Sequence, residues 1–206
     1  MACRAGARPH LPSPPMAKRP NRTARRSAAE PPLRVAVVVS RYNESVTTPL
    51  LEGAIAVFRA HANGLAMPDI FDAPGAFELT ALSAAAAKTG RYAGIVALGC
   101  VIRGETRHDR YICDAVANGL THVTLATGIP IAFGLLTTEN VEQARARAGG
   151  RHGNKGVEAM EALLATIACL SRIAEGNAEP VKAIDRPDKA GSKARAKRSG
   201  AAGGRR

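Results

Sequence analysis

Aromatic residues are scarce in this chain. Phe, Tyr and Trp make up 3% of it, and Trp is absent. The core must therefore be aliphatic, which fits a hydrophobic fraction of 46%. Long apolar runs are missing too: none approaches the roughly 20 residues of a membrane span, so no membrane association is expected. The four cysteines, Cys3, Cys100, Cys113 and Cys169, make no Cys-x-x-Cys pair and no metal-ligand spacing. They read as free thiols of a reducing cytoplasm. The basic N-terminus lacks the apolar centre of a secretory signal.

Acidic charge is also in short supply, but only at the ends. Residues 33–175 hold 13 Lys and Arg against 13 Asp and Glu, so that segment is neutral. The net charge of +12 lies wholly in the tails, where 16 basic residues face Glu30, Glu179, Asp185 and Asp188. A basic folded face for nucleic acid is thus not indicated. Any contact with nucleic acid belongs to the tails, and it would weaken with salt and vanish on their removal. Residues 1–32, with prolines at 9, 12, 14, 15, 20, 31 and 32, read as a disordered extension, with Met16 as an alternative start. Residues 176–206 read as a second disordered tail, which leaves one domain over 33–175.

Within that domain, apolar runs alternate with helical patterns. Leu33–Val39, Asp69–Ala73, Tyr92–Leu98 and Ile131–Leu136 read as strands. The first is Val-rich and nearly continuous, as in a strand covered on both faces. Helical spacing is expected up to about His61 with Pro49 in the first turn, over Ala76–Lys88, from about His108 to Ala126, from a Thr138 N-cap, and from Val157 to about Glu175. This order predicts an α/β fold with a four-stranded parallel sheet and helices on both faces.

The richest stretch runs from Leu98 to Asp114. A strand ends at Gly99, a polar loop with Gly104 follows, and a helix starts near His108. Ligands of open parallel sheets sit beyond the carboxyl ends of the strands, and a helix start favours an anion. The stretch reads as a site for a small phosphorylated or acidic ligand with a histidine at its edge. A lone histidine in the place of His108 is more often a helix cap or a surface residue; its neighbours Thr106, Arg103, Arg107 and the amides of Gly104 to Thr106 favour a site. Pro74–Glu78 follows the second strand, where it is either a plain turn or a pocket wall in which Phe77 and amides line the ligand and Glu78 meets hydroxyls. Tyr42, Phe77 and Phe133 are the aromatics near strand ends, and Tyr42 is either a loop aromatic or a ring for stacking on a flat heterocycle. Arg147 and Lys155 flank a glycine-rich turn, as helix-end charges or as phosphate ligands.

Pro74-Gly75-Ala76-Phe77-Glu78, Gly99-Cys100-Val101-Ile102-Arg103-Gly104-Glu105-Thr106, His108, Leu136-Thr137-Thr138-Glu139-Asn140 and Gly153-Asn154-Lys155-Gly156 occur in that order. Together they resemble the 6,7-dimethyl-8-ribityllumazine synthase family over about residues 33–174. The resemblance implies a flavodoxin-like three-layer α/β/α sandwich that forms homopentamers, in some members a 60-subunit icosahedral shell, with active sites between adjacent subunits. Riboflavin synthase is a candidate partner. The implied substrates are 5-amino-6-(D-ribitylamino)uracil and 3,4-dihydroxy-2-butanone 4-phosphate, with no metal and no cofactor. By the same resemblance, Tyr42 stacks on the pyrimidine, and Ala76, Phe77 and Glu78 hold the pyrimidine and ribityl chain. Cys100, Val101, Ile102 and Phe133 contribute mainly backbone contacts. Glu105 and Thr106 bind the butanone phosphate, Arg147 reaches it from a neighbour, Lys155 touches the ligands, and His108 moves protons. Two residues depart from the family pattern: Tyr42 where Phe is common, and Glu105 where a small residue is frequent. A carboxylate beside a phosphate is unfavourable unless it points away or pairs with Arg103 or Arg107.

Overall fold

The computed structural model describes residues 33–64 and 66–177. The expected disorder of residues 1–32 and of the tail past residue 177 lies outside the described residues. The chain runs β1 (Val35–Ser40), α1 (Glu44–His61), β2 (Asp69–Ala73), α2 (Leu79–Lys88), β3 (Gly94–Ile102), α3 (His108–Thr127), β4 (Ile131–Thr138), α4 (Val141–Ala146), β5 (Ala148–Gly150), β6 (Gly153–Asn154) and α5 (Lys155–Ala174). The four long strands form one parallel sheet in the order β2-β1-β3-β4.

All six residues of β1 are buried, as are the first eight of β3. These two central strands carry no polar alternation because helices cover both their faces. On one face Ala36, Val38, Ile95, Ala97 and Leu135 pack with Leu79, Ala86 and Ala87 of α2 and Val116 and Leu120 of α3. On the other face α1 packs along α5, and Leu50, Phe58, Met160 and Leu163 are fully buried there. The result is the expected flavodoxin-like three-layer sandwich with an aliphatic core. No helix among the described residues is long and apolar enough to cross a membrane.

Four local expectations need correction. The third strand does not stop at Gly99. It continues to Ile102, because β4 keeps pairing with it as far as Ile102↔Thr138. Thr138 is accordingly the last residue of β4, and Asn140 caps α4 instead, its side chain accepting the Gln143 N–H at 2.9 Å. The glycine-rich segment after α4 is a small antiparallel hairpin, β5 on β6, and α5 starts at Lys155 inside the expected turn. Helix α1 starts at Glu44, which places Pro49 beyond the first turn.

At the amino ends of the strands, Asp69 accepts hydrogen bonds from the Tyr92 hydroxyl at 2.8 Å and from Arg34 Nη2 at 2.7 Å. The guanidinium groups of Arg34 and Arg91 lie 5.6 and 5.7 Å from the centre of the Tyr92 ring. The Tyr92 hydrogen bond, then Arg34, holds the Asp69 carboxyl below the usual carboxylate range. Burial, then the bond to Asp69, pushes the Tyr92 phenol up. A depressed carboxyl contributes stability above its unfolded pKa and loses it as pH falls through the folded value. Asp69→Asn should therefore lower stability at neutral pH. The Asp69 side chain is 40% exposed, so the screened loss is about 1 kcal/mol. Denaturant titrations of both proteins should converge as pH drops below the carboxylate range. A gap of constant size down to strong acid would show that the charge is not what matters.

Candidate active site

The sheet has a step in its carboxyl edge. β1 pairs with β3 only as far as Val39↔Leu98, and β2 ends at Ala73. β3 and β4 continue to Ile102 and Thr138. Four extra residues on β3 extend the edge by about 13 Å. On the β1 side, Gly99 to Ile102 thus have no neighbouring strand, and a cleft of about 420 Å³ opens there. Its floor is Cys100, Val101 and Ile102. Tyr42 and Asn43 after β1, Gly75 to Glu78 after β2, and Gly104, Thr106, His108, Asp109 and Ile112 around the start of α3 complete the lining.

The first two loops are held in place by specific hydrogen bonds and a turn. Asn43 has φ 62°, in the left-handed region that asparagine tolerates better than most residues. It occupies the N-cap of α1 but makes no side-chain cap bond. Its Nδ2 donates instead to the Cys100 carbonyl at 2.9 Å, tying the first loop to the cleft floor. The Arg41 amide bonds the Ala73 carbonyl at 2.8 Å, which joins the first loop to the second. Pro74 and Gly75 turn the chain before α2, so Ala76, Phe77 and Glu78 face the cleft ahead of the helix that had been expected to start at Ala76.

Tyr42 and Phe77 are 70% and 60% exposed. Exposing two large rings beside one cleft, in a chain with so few, leaves flat apolar surface for a planar ligand. His108, the first residue of α3, stands exposed at the cleft wall next to Thr106. Burial raises the Cys100 thiol to about 11, so this cysteine is not a nucleophile at neutral pH. Cys113 is also a free thiol, with its sulfur 3.2 Å from the Thr137 hydroxyl.

The cleft thus gathers Tyr42, Ala76, Phe77, Glu78, Cys100, Val101, Ile102, Thr106 and His108 of the sequence-based set. It does not include Glu105, Phe133, Arg147 or Lys155. Glu105 is exposed and not among the lining residues, and Arg103 pairs with Glu139 at 2.7 Å, not with Glu105. Phe133 is the third residue of β4, opposite Ala97 in the amino half of the sheet. It borders a separate hollow of about 310 Å³ with Leu120, Thr124, Leu125 and Ile131. Arg147 and Lys155 flank the β5–β6 hairpin. Sequence reading missed Asn43, Asp109 and Ile112. Asn43 had a usable signal, a turn-forming residue placed between a strand and a helix. Ile112 looked like ordinary core at helical spacing.

A profile of the 6,7-dimethyl-8-ribityllumazine synthase family matches residues 32–171. 6,7-Dimethyl-8-ribityllumazine synthase 1 of Caulobacter vibrioides is 48% identical over 144 residues, covering 70% of this chain and 94% of the relative. 6,7-Dimethyl-8-ribityllumazine synthase of Nitratidesulfovibrio vulgaris is 41% identical over 141 residues, covering 68% of this chain and 90% of the relative. The matched span contains the whole sheet and every residue of the cleft, and the chain belongs to the 6,7-dimethyl-8-ribityllumazine synthase family.

Proposed function

We propose that the cleft is the larger part of a lumazine synthase active site. The chain condenses 5-amino-6-(D-ribitylamino)uracil with 3,4-dihydroxy-2-butanone 4-phosphate to 6,7-dimethyl-8-ribityllumazine, phosphate and two waters. The observation that carries this reading is the convergence of two exposed rings, a histidine and a polar loop at a helix start on one step of the sheet edge.

The roles follow from chemistry. Tyr42 stacks on the pyrimidine, and Ala76 and Phe77 flank it. Glu78 accepts hydrogen bonds from ribityl hydroxyls. Backbone groups of Cys100, Val101 and Ile102 meet the ring edge. Thr106 and the amides of Gly104, Glu105 and Thr106 face the phosphate, and the exposed Glu105 carboxylate has to point elsewhere in this reading, since two anions would clash. The uracil 5-amine attacks the butanone carbonyl, and loss of water gives an imine. Removal of the adjacent proton lets phosphate leave. The enol tautomerises, and its carbonyl closes on the ribitylamino nitrogen with loss of the second water. His108 carries protons through these steps, because it is the imidazole at the cleft wall beside the reacting groups. Much of the rate comes from holding two substrates together.

Phe133, Arg147 and Lys155 belong to the same site by way of a second copy. A homopentamer supplies this arrangement, with the hollow beside Phe133 and the hairpin meeting the cleft of the neighbour. Mixing the purified protein with both substrates should make the lumazine absorbance grow above the uncatalysed background. A folded, oligomeric protein that binds riboflavin but gives no such growth would make the chain a binding relative.

A further inference from the structure

Arg147 is held more firmly than a surface arginine needs to be. Its Nη1 donates to the His152 carbonyl at 2.7 Å and pairs with Glu158 Oε1 at 2.8 Å. Its Nη2 donates to Glu158 Oε2 at 2.9 Å. The Lys155 amide bonds the Arg147 carbonyl at 2.8 Å, which fixes the backbone end. Lys155 Nζ lies 3.3 Å from Glu158 Oε2, so one carboxylate holds both cations. Glu158 sits in the first turn of α5. The Arg147 hydrogen bond chiefly, then Lys155, keeps its carboxyl below the usual range, so it is ionised at neutral pH.

A guanidinium is planar and has five N–H bonds. Glu158 takes the end of the fork, where one hydrogen of Nη1 and one of Nη2 point the same way. His152 takes the other Nη1 hydrogen. The Nε–H and the second Nη2–H remain, parallel along one edge, and no acceptor among the described residues bonds them. That edge fits two oxygens of one phosphate. A lysine has no equivalent, because a single ammonium cannot hold the clamp and also offer a planar pair of donors.

We propose that Glu158 is a positioning residue. It grips Arg147 by the end of the guanidinium and aims the Nε/Nη2 edge at the phosphate of the butanone substrate bound in the neighbouring subunit. This rests on the reading of Arg147 as a phosphate ligand given above. Two cations and one carboxylate leave one net positive charge for the phosphate, delivered in a fixed direction.

Steady-state kinetics on the full-length assembled protein, with inorganic phosphate as competing ligand, test it. Glu158→Gln should raise KM for the butanone phosphate and Ki for inorganic phosphate by about tenfold. Turnover and KM for the pyrimidine should stay within about twofold. In an Arg147→Ala background, adding Glu158→Gln should change nothing further. Arg147→Lys should bind phosphate as poorly as Arg147→Ala. Tighter phosphate binding by Glu158→Gln would mean that the carboxylate merely competes with the ligand, and would overturn the proposal. So would an equal loss in both backgrounds, which marks a structural role. Arg147→Ala with unchanged phosphate binding, Glu158 being intact, would overturn the underlying reading of Arg147. If Glu158→Gln fails to assemble, the Arg147→Lys arm decides alone, and phosphate binding near that of the unsubstituted protein refutes the clamp.

Discussion

Replacing His108 by alanine should lower kcat by about 10²-fold and leave KM for both substrates within a few-fold. The size follows from the setting. General acid–base catalysis contributes about 10²–10⁴-fold, and His108 stands exposed beside an open cleft where water can move protons in its place. The low end of that range therefore applies. Binding is largely kept, because the rings of Tyr42 and Phe77, the floor of β3 and the phosphate contacts do not depend on the imidazole. His61→Ala, at the far end of α1, serves as the control and should turn over normally. An unchanged rate in His108→Ala would remove this residue from the mechanism. A large rise in KM without a fall in kcat would make it a binding group.

The second large effect is on folding. Gly156 lies in the first turn of α5, where that helix crosses α1. A Cβ added there would overlap the Leu50 carbonyl oxygen and stand 2.6 Å from the carbonyl carbon. Both atoms are backbone inside a helix and cannot swing aside as a side chain would. The same crossing is stapled by Asn154. Its Nδ2 donates to the Pro49 carbonyl at 2.9 Å, and its Oδ1 accepts from the Gly156 and Val157 amides at 2.8 and 3.3 Å. Gly156→Ala should cost about 3 kcal/mol or more, read as a lower denaturant midpoint. Gly104→Ala, where an added Cβ meets nothing within 4 Å, should stay within about 0.5 kcal/mol. Equal midpoints for the two variants would contradict the packing described for α1 and α5. Because the hairpin and Arg147 hang on this crossing, Gly156→Ala should also impair the half-site proposed for the hairpin.

The fold was legible wherever burial set the pattern. The Val-rich, fully buried run of β1 marked a central strand; β2 occupies Asp69–Ala73 as read although only Ala73 of it is buried, because Pro74-Gly75 ends it. The misreadings fall where long-range pairing overrides local composition. Gly99 looks like a break, yet β4 lies beside it and carries the strand on to Ile102. Thr138 looks like a cap for the same reason. The hairpin of β5 and β6 was hidden because three glycines in six residues, positions 149 to 154, carry no side-chain alternation to read. The motif residues that line the cleft, Ala76 to Glu78, Cys100 to Ile102, Thr106 and His108, were legible because they sit at strand ends or at a helix start; Glu105 and the two later motifs do not line it. Asn43 escaped notice because its bond partner, the Cys100 carbonyl, is 57 residues away. Phe133, Arg147, Lys155 and the cleft cannot be brought together by any reading of one chain if the site is shared between two.

That sharing is the central claim, and mixed assemblies test it most directly. His108→Ala and Arg147→Ala chains, carrying distinguishable tags, would be co-expressed, purified through both tags, and assayed at low butanone phosphate. Each parent alone should be nearly inactive under those conditions. If every site takes His108 from one subunit and Arg147 from its neighbour, random mixing in a ring restores about a quarter of the sites. The account predicts activity near that level. Doubly tagged assemblies no more active than the parents would contradict it, and would place both residues in the service of the same chain.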